Sequence, residues 1–128
     1  MRTESRLPHD WFDKARKDLR RVQVLLATED VEGAGFHLQQ AAEKYLKGYL
    51  LGKGWSLKRI HDLEVLLNEA MTHDDRFQKY LDACIMVREF YVEERYPFID
   101  SPPPTRDELE AALDTIREMV TLILEQTG

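Results

Sequence analysis

Apolar residues recur at steps of three and four positions through most of the chain, the spacing that places them on one face of an α-helix. The first such stretch follows Asp10, a residue type that commonly caps helix N-termini, so we expect a helix to begin near Asp10 with this residue as its N-cap. Its expected inward residues are Trp11, Ala15, Leu19, Val22 and Leu26. No segment of the sequence shows the sustained alternation that is typical of a half-buried strand.

A second apolar stretch predicts a helix that begins at Asp30 or Val31 and keeps its spacing from Leu38 to Leu50. Two glycines lie in its first turns, where they weaken the helix but permit another helix to approach closely. Two more glycines follow the last apolar residues, as is common where helices end. These pairs are Gly33 and Gly35 at the start, and Gly52 and Gly54 at the end.

Three further helices are predicted in the second half of the chain. A short one runs from Asp62 to Met71, and a turn at residues 73–75 separates it from a fourth. The fourth helix carries a stripe consisting of Phe77, Tyr80, Leu81, Cys84, Ile85, Arg88 and Tyr91. Four of the five prolines then fall between Arg95 and Pro104, which predicts a loop. Thr105 opens the last helix, and Glu108 completes a T-x-x-E capping box.

This order of elements predicts an all-α fold. Short connections between long helices favour antiparallel neighbours, so we expect an up-and-down four-helix bundle with one additional short helix. With 128 residues the chain has the length of a single domain, and we assign residues 1–128 to it. We expect the polar residues 1–9 to be disordered.

Composition and charge narrow the classes of function. The net charge of −6 argues against a protein that coats nucleic acid, because such binding depends on the release of phosphate counterions by a cationic surface. The lone cysteine, Cys84, favours a reducing compartment. The sequence contains neither a signal-peptide pattern nor a stretch of about 20 apolar residues that would span a membrane. These features indicate a cytoplasmic protein without a membrane association.

The first helix carries five basic residues, which are Lys14, Arg16, Lys17, Arg20 and Arg21. They could form a surface for phosphate groups, or they could be the ordinary solvated face of the helix. Because Asp13 and Asp18 lie among them, we favour the solvated face.

Three segments together resemble the HEPN family (higher eukaryotes and prokaryotes nucleotide-binding). The run from Gln39 to Lys47 resembles the family's Q-x-A-x-K-x-L-K signature. The segment from His61 to Leu63, with the leucines that follow it, is similar to the family's H-[DS]-L-x-x-L, and Phe90 to Pro97 is similar to its aromatic segment ending in R-Y-P. Order and spacing agree over roughly residues 10–126.

The resemblance implies a helical bundle that pairs as a homodimer. It also implies, for the active ribonucleases of the family, an R-x4-6-H motif near the end of the fourth helix that cleaves RNA without a metal. This sequence departs from that motif. The positions that should hold histidine are occupied by Asp100, Ser101 and Pro102 after Arg95, and by Glu93, Glu94 and Arg95 after Arg88. His61 is interpreted as a residue of a helix start, and the histidine and cysteine spacing predicts no metal site.

Two interpretations of the remaining charged residues stay open. In one, a groove binds a phosphate-bearing ligand and an aromatic side chain stacks on a base. Its ligand-binding residues would be Lys44, Lys47, Arg88, Arg95 and Tyr96, with Tyr91 as an alternative to Tyr96. In the other, which we favour, Arg88 and Lys44 pair with Glu43, Glu89 or Glu94 to satisfy buried charges inside the dimer.

The resemblance supports three functional hypotheses. The first is an interaction module that pairs with a minimal nucleotidyltransferase in a toxin–antitoxin-like system, where Tyr96 is the candidate for modification. The second is a metal-independent endoribonuclease with a degraded site, in which Arg95 positions phosphate and Asp100 or Glu94 replaces the histidine. The third is nucleotide binding. None of the three requires a cofactor.

Overall fold

The computed structural model describes residues 3–95 and 104–127, with side chains described up to residue 90 and from residue 104 onward. It contains five α-helices and one 3-10 helix, and the described residues include no strand. These elements are α1 (Pro8–Ala27), α2 (Val31–Gly52), α3 (Leu63–Met71), the 3-10 helix (Asp75–Tyr80), α4 (Leu81–Arg95) and α5 (Arg106–Gln126). The predicted all-α bundle with one additional short helix is confirmed.

Helix α2 lies at the centre of the bundle. It packs against α1, α3, α4 and α5. Between Leu38 and Leu50 every residue except Gln40 and Lys44 is buried, whereas a surface helix would keep a broad polar face in water. The prediction of this helix from its apolar spacing is confirmed, including its first residue, Val31.

Side-chain caps define the beginnings of three helices as predicted. The Asp30 carboxylate accepts a hydrogen bond from the Gly33 amide at the start of α2, and Asp62 accepts one from the Glu64 amide at the start of α3. Thr105 and Glu108 form both hydrogen bonds of the capping box at the start of α5. These bonds satisfy amide groups that have no partner inside the helix.

Helix α1 starts near Asp10, as predicted, but the prediction that Asp10 is its N-cap is wrong. The helix begins at Pro8, and Asp10 lies in its first turn. Proline suits this position because its φ angle is already helical and its missing N–H would have had no partner inside the helix. Asp10 instead accepts a hydrogen bond from the Ser5 hydroxyl at 2.6 Å, which holds the preceding segment against the helix.

The inward face of α1 is also rotated from the predicted one. Phe12 and Asp18 are buried, whereas Trp11 and Leu19 are only partly covered. Phe12 stacks on Tyr45 of α2 with ring centroids 5.9 Å apart, which anchors the N-terminal half of α1 on the central helix. The apolar spacing did not predict that an aspartate would be buried on this face of the helix.

The fourth predicted helix is divided in the structure. Phe77 and Tyr80 belong to the 3-10 helix, and α4 begins only at Leu81. Asp74 caps the 3-10 segment by accepting a hydrogen bond from the Arg76 amide. A 3-10 helix has three residues per turn, so Phe77 and Tyr80 lie on the same face and both are buried.

Close contacts at two glycines of α2 set the distance to its neighbours. A Cβ atom at Gly35 would lie 3.2 Å from the side chain of Phe90 on α4, which agrees with the close approach predicted there. At Gly48 a Cβ atom would lie 2.6 Å from the ring of Phe12 on α1. The α1–α2 contact therefore requires a residue without a side chain at position 48.

We predict that Gly48→Ala destabilises the protein by about 1–3 kcal/mol, because the added methyl group displaces the Phe12 ring. Gly52→Ala is the matched control, since its Cβ atom would meet only Pro8 at an ordinary 3.7 Å. Chemical unfolding followed by circular dichroism measures both variants. Equal midpoints for the two would contradict the packing described for Gly48.

A second prediction concerns Cys84, whose side chain is fully buried in α4. Burial raises the pKa of its thiol to about 12, and the thiolate is the form that reacts with alkylating reagents. We expect Cys84 to resist iodoacetamide in the folded protein and to react completely in denaturant, as measured by intact mass. Rapid labelling without denaturant would show that the core opens at α4.

Candidate functional site

A buried carboxylate on α2 is the centre of the first polar cluster, which we call the Glu43 network. Glu43 Oε2 accepts from Lys47 Nζ at 3.1 Å and lies 3.1 Å from His61 Nδ1, while Oε1 accepts from Gln39 Nε2 at 3.1 Å. Both oxygens of Glu43 are therefore satisfied. The network consists of Gln39, Glu43, Lys47 and His61, and it joins α2 to the residues that precede α3.

Lys47 is enclosed by protein. Its side chain is 2% exposed, and its ammonium group lies 5.4 Å from the centre of the Trp11 ring on α1. The ion pair with Glu43 and the aromatic ring replace the water that the ammonium loses on burial. Lys47 thus lies in the core of the protein, where its ammonium group is out of direct reach of a ligand phosphate in solvent.

His61 differs from the rest of the Glu43 network in its exposure. Its side chain is 69% exposed, yet Nδ1 is held at the buried carboxylate of Glu43. This contact orients the ring and leaves Nε2 without a protein partner among the described residues. The structure places His61 directly before the α3 cap, Asp62, as the helix-start interpretation predicts, and adds a contact that this interpretation did not include.

A second buried carboxylate lies between α1 and α2, and we call its surroundings the Asp18 network. Asp18 is 1% exposed, and its oxygens lie 2.8 Å from His37 Nδ1, 2.5 Å from Lys44 Nζ and 3.3 Å from an Arg21 guanidinium nitrogen. His37 and Lys44 belong to α2, so the network joins that helix to α1. Lys44, one of the predicted ligand-binding residues, contributes its charge here.

Arg88 lies on another part of the surface, beside the start of α3. Its guanidinium group contacts Glu64 at 2.6 Å, Asp62 at 3.4 Å and Glu89 at 3.4 Å. Its side chain is 32% exposed, which agrees with the expectation that an arginine on this stripe would be paired. The internal pairing that we favoured is therefore observed for Arg88, with Glu89 as predicted and with Asp62 and Glu64 in addition. It is also observed for Lys44, whose partner is Asp18 rather than a predicted glutamate.

The predicted ligand-binding residues whose side chains are described lie in different places in the structure. Lys44 contacts α1, Lys47 lies within the core, and Arg88 contacts the start of α3. Arg95 is the last residue of α4, but its side chain and that of Glu94 lie outside the described residues, as do Tyr91, Tyr96 and Asp100. The part of the predicted site after residue 90 therefore stays a prediction.

Sequence reasoning missed Asp18 as a structural residue. A signal was available, because Asp18 stands three residues after Ala15 and four before Val22, which are both inward positions of α1. A charged residue at an inward helical position implies a partner on the neighbouring helix. Glu43 and Lys47 are also charged residues at inward positions, and because they are one turn apart on the central helix they can be each other's partner.

A surface groove of about 500 Å³ lies between the start of α1 and Lys44, and we call it the α1 groove. Its walls carry three ammonium groups, three carboxylates and an indole. The lining residues are Glu4, Ser5, Asp10, Trp11, Asp13, Lys14, Lys17 and Lys44. Lys14 and Lys17 belong to the basic face of α1 that we interpreted as solvated, and they therefore border a concave surface.

Two further findings limit the kinds of site in the part of the chain that the structure describes. No group of three histidine, cysteine, aspartate or glutamate side chains there is arranged to hold a metal ion. None of the helices described is both long and apolar enough to cross a membrane.

The fold and the polar networks define a small all-α bundle whose central helix carries buried charges. The sequence pattern of the HEPN domain family matches residues 8–126, so the chain belongs to the HEPN family. No protein with a curated description matches it.

Two solved structures are similar to this chain. TT1696 from Thermus thermophilus has 32% sequence identity and a TM-score of 0.80, over 92% of this chain and 96% of that one. ST0689, described as an archaeal HEPN homologue, has 24% identity and a TM-score of 0.76, over 95% and 98% of the two chains. At 24% identity, the similarity to ST0689 shows a shared fold and nothing further.

The Glu43 network leads to a prediction about stability. Glu43→Gln leaves the enclosed Lys47 ammonium without its counter-ion, and we expect a loss of about 3–5 kcal/mol. Replacing both residues, as Glu43→Gln with Lys47→Met, removes the stranded charge, so the double variant should lose less than the sum of the two single losses. Unfolding in urea measures the free energies of all three variants.

Glu110→Gln provides the control, because Glu110 also pairs with a cation one turn away but both side chains are 48% exposed. Its loss should be about 0.3–0.5 kcal/mol. If the losses from Glu43→Gln and Lys47→Met simply add, the two side chains do not interact as described.

Proposed function

We propose that this HEPN-family protein is an interaction module that forms a homodimer and pairs with a minimal nucleotidyltransferase in a toxin–antitoxin-like system. The observation that carries the proposal is the internal neutralisation of Lys44, Lys47 and Arg88, three of the cations expected to bind phosphate. The chain also lacks a histidine at the expected distance after Arg88 or Arg95. Both observations support a binding role over cleavage of RNA.

A ligand phosphate and the carboxylates of the protein compete for the same cations. A ligand phosphate at Arg88 would have to replace contacts with Asp62, Glu64 and Glu89, each of which repels it. A phosphate at Lys47 would also have to enter the core. A protein surface that packs beside Arg88 needs no such exchange, so its ion pairs can stay intact when a partner binds.

The alternative, a metal-independent endoribonuclease, requires Asp100 or Glu94 to carry the proton that histidine carries in the R-x4-6-H motif. An ordinary carboxylic acid titrates near 4 and is a weak proton donor at neutral pH. His61 is exposed, but carboxylates surround the neighbouring Arg88. Incubation of the purified protein with single-stranded RNA tests this alternative, and cleavage that disappears in Arg95→Ala would favour it over the interaction module.

The test of the proposal is isolation of the tagged protein from its native host, with identification of the proteins that accompany it. We expect a nucleotidyltransferase to co-purify, and we expect Arg95→Ala at the end of α4 to weaken the complex. Arg59→Ala is the control, since Arg59 is exposed and makes no ion pair within the described residues. Intact mass measures any added group, which Tyr96→Phe should abolish if Tyr96 is its acceptor.

The outcomes separate the hypotheses. A nucleotidyltransferase encoded beside this chain that fails to co-purify would overturn the pairing. Co-purifying RNA without a protein partner would return the nuclease hypothesis to first place. Light scattering of the purified protein tests the homodimer separately, because a monomer would remove that part of the proposal and leave the pairing untouched.

A further inference from the structure

We infer that His61 is a site of covalent modification, whose Nε2 atom accepts a phosphoryl group from a small activated phosphate, an acyl phosphate or a phosphoramidate. The reaction requires neither a nucleotide nor RNA, and it does not depend on the pairing proposed above. The inference rests on three features of His61, which are the exposure of its ring, the carboxylate that holds its other nitrogen, and the contrast with the remaining histidines.

The first feature is the accessibility of one ring nitrogen. The His61 side chain is 69% exposed, and its Nε2 atom has no partner among the described residues. The residue lies in the connection between α2 and α3, directly before the cap of α3. A small electrophile can therefore reach Nε2 from solvent without displacing a contact described for the fold.

The second feature is the carboxylate at the other ring nitrogen. Glu43 Oε2 lies 3.1 Å from His61 Nδ1 and also accepts from Lys47 Nζ at 3.1 Å. A carboxylate that is paired with an ammonium group is ionised and only accepts hydrogen bonds, so the proton of the neutral imidazole is on Nδ1. The lone pair is then on Nε2, the exposed nitrogen, which makes this nitrogen the nucleophile.

The position of Glu43 is itself fixed. Its side chain is 6% exposed, and its second oxygen accepts from Gln39 Nε2 at 3.1 Å. Water screens a buried carboxylate less than a surface one, so Glu43 acts strongly on the ring. It offsets the positive charge that the imidazole acquires when Nε2 forms a bond.

The third feature is the contrast between the four histidines of the chain, all of which lie in its described part. His9 is 71% exposed, but there Nε2 is the nitrogen that lies 3.2 Å from a carboxylate, and that carboxylate is 46% exposed. His37 has Nδ1 at a buried carboxylate, but its own side chain is only 26% exposed. His73 is exposed and makes no ion pair within the described residues. Of the four, only His61 combines an open Nε2 with a buried carboxylate at Nδ1.

The transfer step is a displacement at phosphorus. The lone pair of His61 Nε2 forms the N–P bond while the bond between phosphorus and the leaving group breaks. The leaving group departs with that electron pair, as a carboxylate from an acyl phosphate or as ammonia from a phosphoramidate. The proton on Nδ1 stays on the ring, where it faces the Glu43 carboxylate. No atom is oxidised or reduced, and the step needs no further reactant.

The charge near His61 explains why the donor is small. Three carboxylates share the guanidinium group of Arg88, which contacts the residue after His61. Lys58 and Arg59 precede His61, and both are exposed and make no ion pair within the described part of the chain. These charges nearly balance, so they neither bind an anionic donor strongly nor exclude it. Selectivity for His61 therefore comes from the reactivity of Nε2 and not from a pocket for phosphate.

The test is treatment of the folded protein with phosphoramidate and, separately, with acetyl phosphate. Intact mass and peptide mapping at neutral pH follow the modification with time. We expect the first phosphoryl group on His61, at a rate about fivefold or more above that of the equally exposed His9. The product should be the Nε2 isomer, which phosphorus NMR distinguishes from the Nδ1 isomer. Selective reaction with either reagent supports the site, and the faster reagent identifies the class of donor.

The variants separate the reactivity of His61 from its exposure. His61→Asn should abolish the first modification, whereas His9→Asn, the control matched in exposure, should leave it unchanged. Glu43→Gln combined with Lys47→Met removes the carboxylate without stranding the ammonium group, and the rate at His61 should fall to that of His9. Circular dichroism establishes that the variants are folded. If the double variant does not fold, the unmodified sequence in urea replaces it, and there His61 should lose its advantage over His9.

Each outcome decides the inference. Selective modification of His61 at Nε2, lost with the Glu43 carboxylate or on unfolding, supports it. Equal rates at His61 and His9 in the folded protein, a product at Nδ1, or no phosphoryl group on His61 with either reagent would each overturn it. Capture of a protein partner is measured separately, so failure of one proposal is distinguishable from failure of the other.

Discussion

The buried ion pair of Glu43 and Lys47 is the interaction on which the arrangement of the bundle most depends. Both side chains are almost fully enclosed on the central helix, where an unpaired charge would be strongly unfavourable. The pair is complete only with groups from other elements, namely Trp11 of α1 over the lysine and His61 before α3 at the carboxylate. Folding the core therefore requires α1 and the start of α3 to lie where these contacts form.

The Asp18 network has the same role between α1 and α2, because a buried charge there also requires partners from the neighbouring helix. A carboxylate of one helix is buried and contacts Lys44 and His37 of the other. Apolar contacts alone would permit α1 to slide or rotate on α2, since many apolar arrangements have similar energies. A buried charge has few acceptable positions, so Asp18 fixes one of them. Polar residues in this core thus contribute to the choice of a single packing arrangement.

The sequence was a good guide where local chemistry decides the structure and a poor one where distant residues decide it. The start of α2 at Val31, the capping box at Thr105 and the spacing along α2 involve neighbours in the chain, and the structure has them as predicted. The rotation of α1 that buries Phe12 and Asp18 depends on Tyr45, Gly48 and Lys44 of another helix. Nothing within α1 itself reveals those partners.

The same distinction explains the outcome for the candidate site. Lys44 and Lys47 have the residue types of a phosphate site, but the structure shows that carboxylates of the fold occupy them. Once such pairs are accounted for, Lys14 and Lys17 stand out as cations that border a groove and have no such partner within the described part of the chain. Cations that a carboxylate of the fold already compensates are less accessible to a ligand than uncompensated ones, and residue type alone does not distinguish the two.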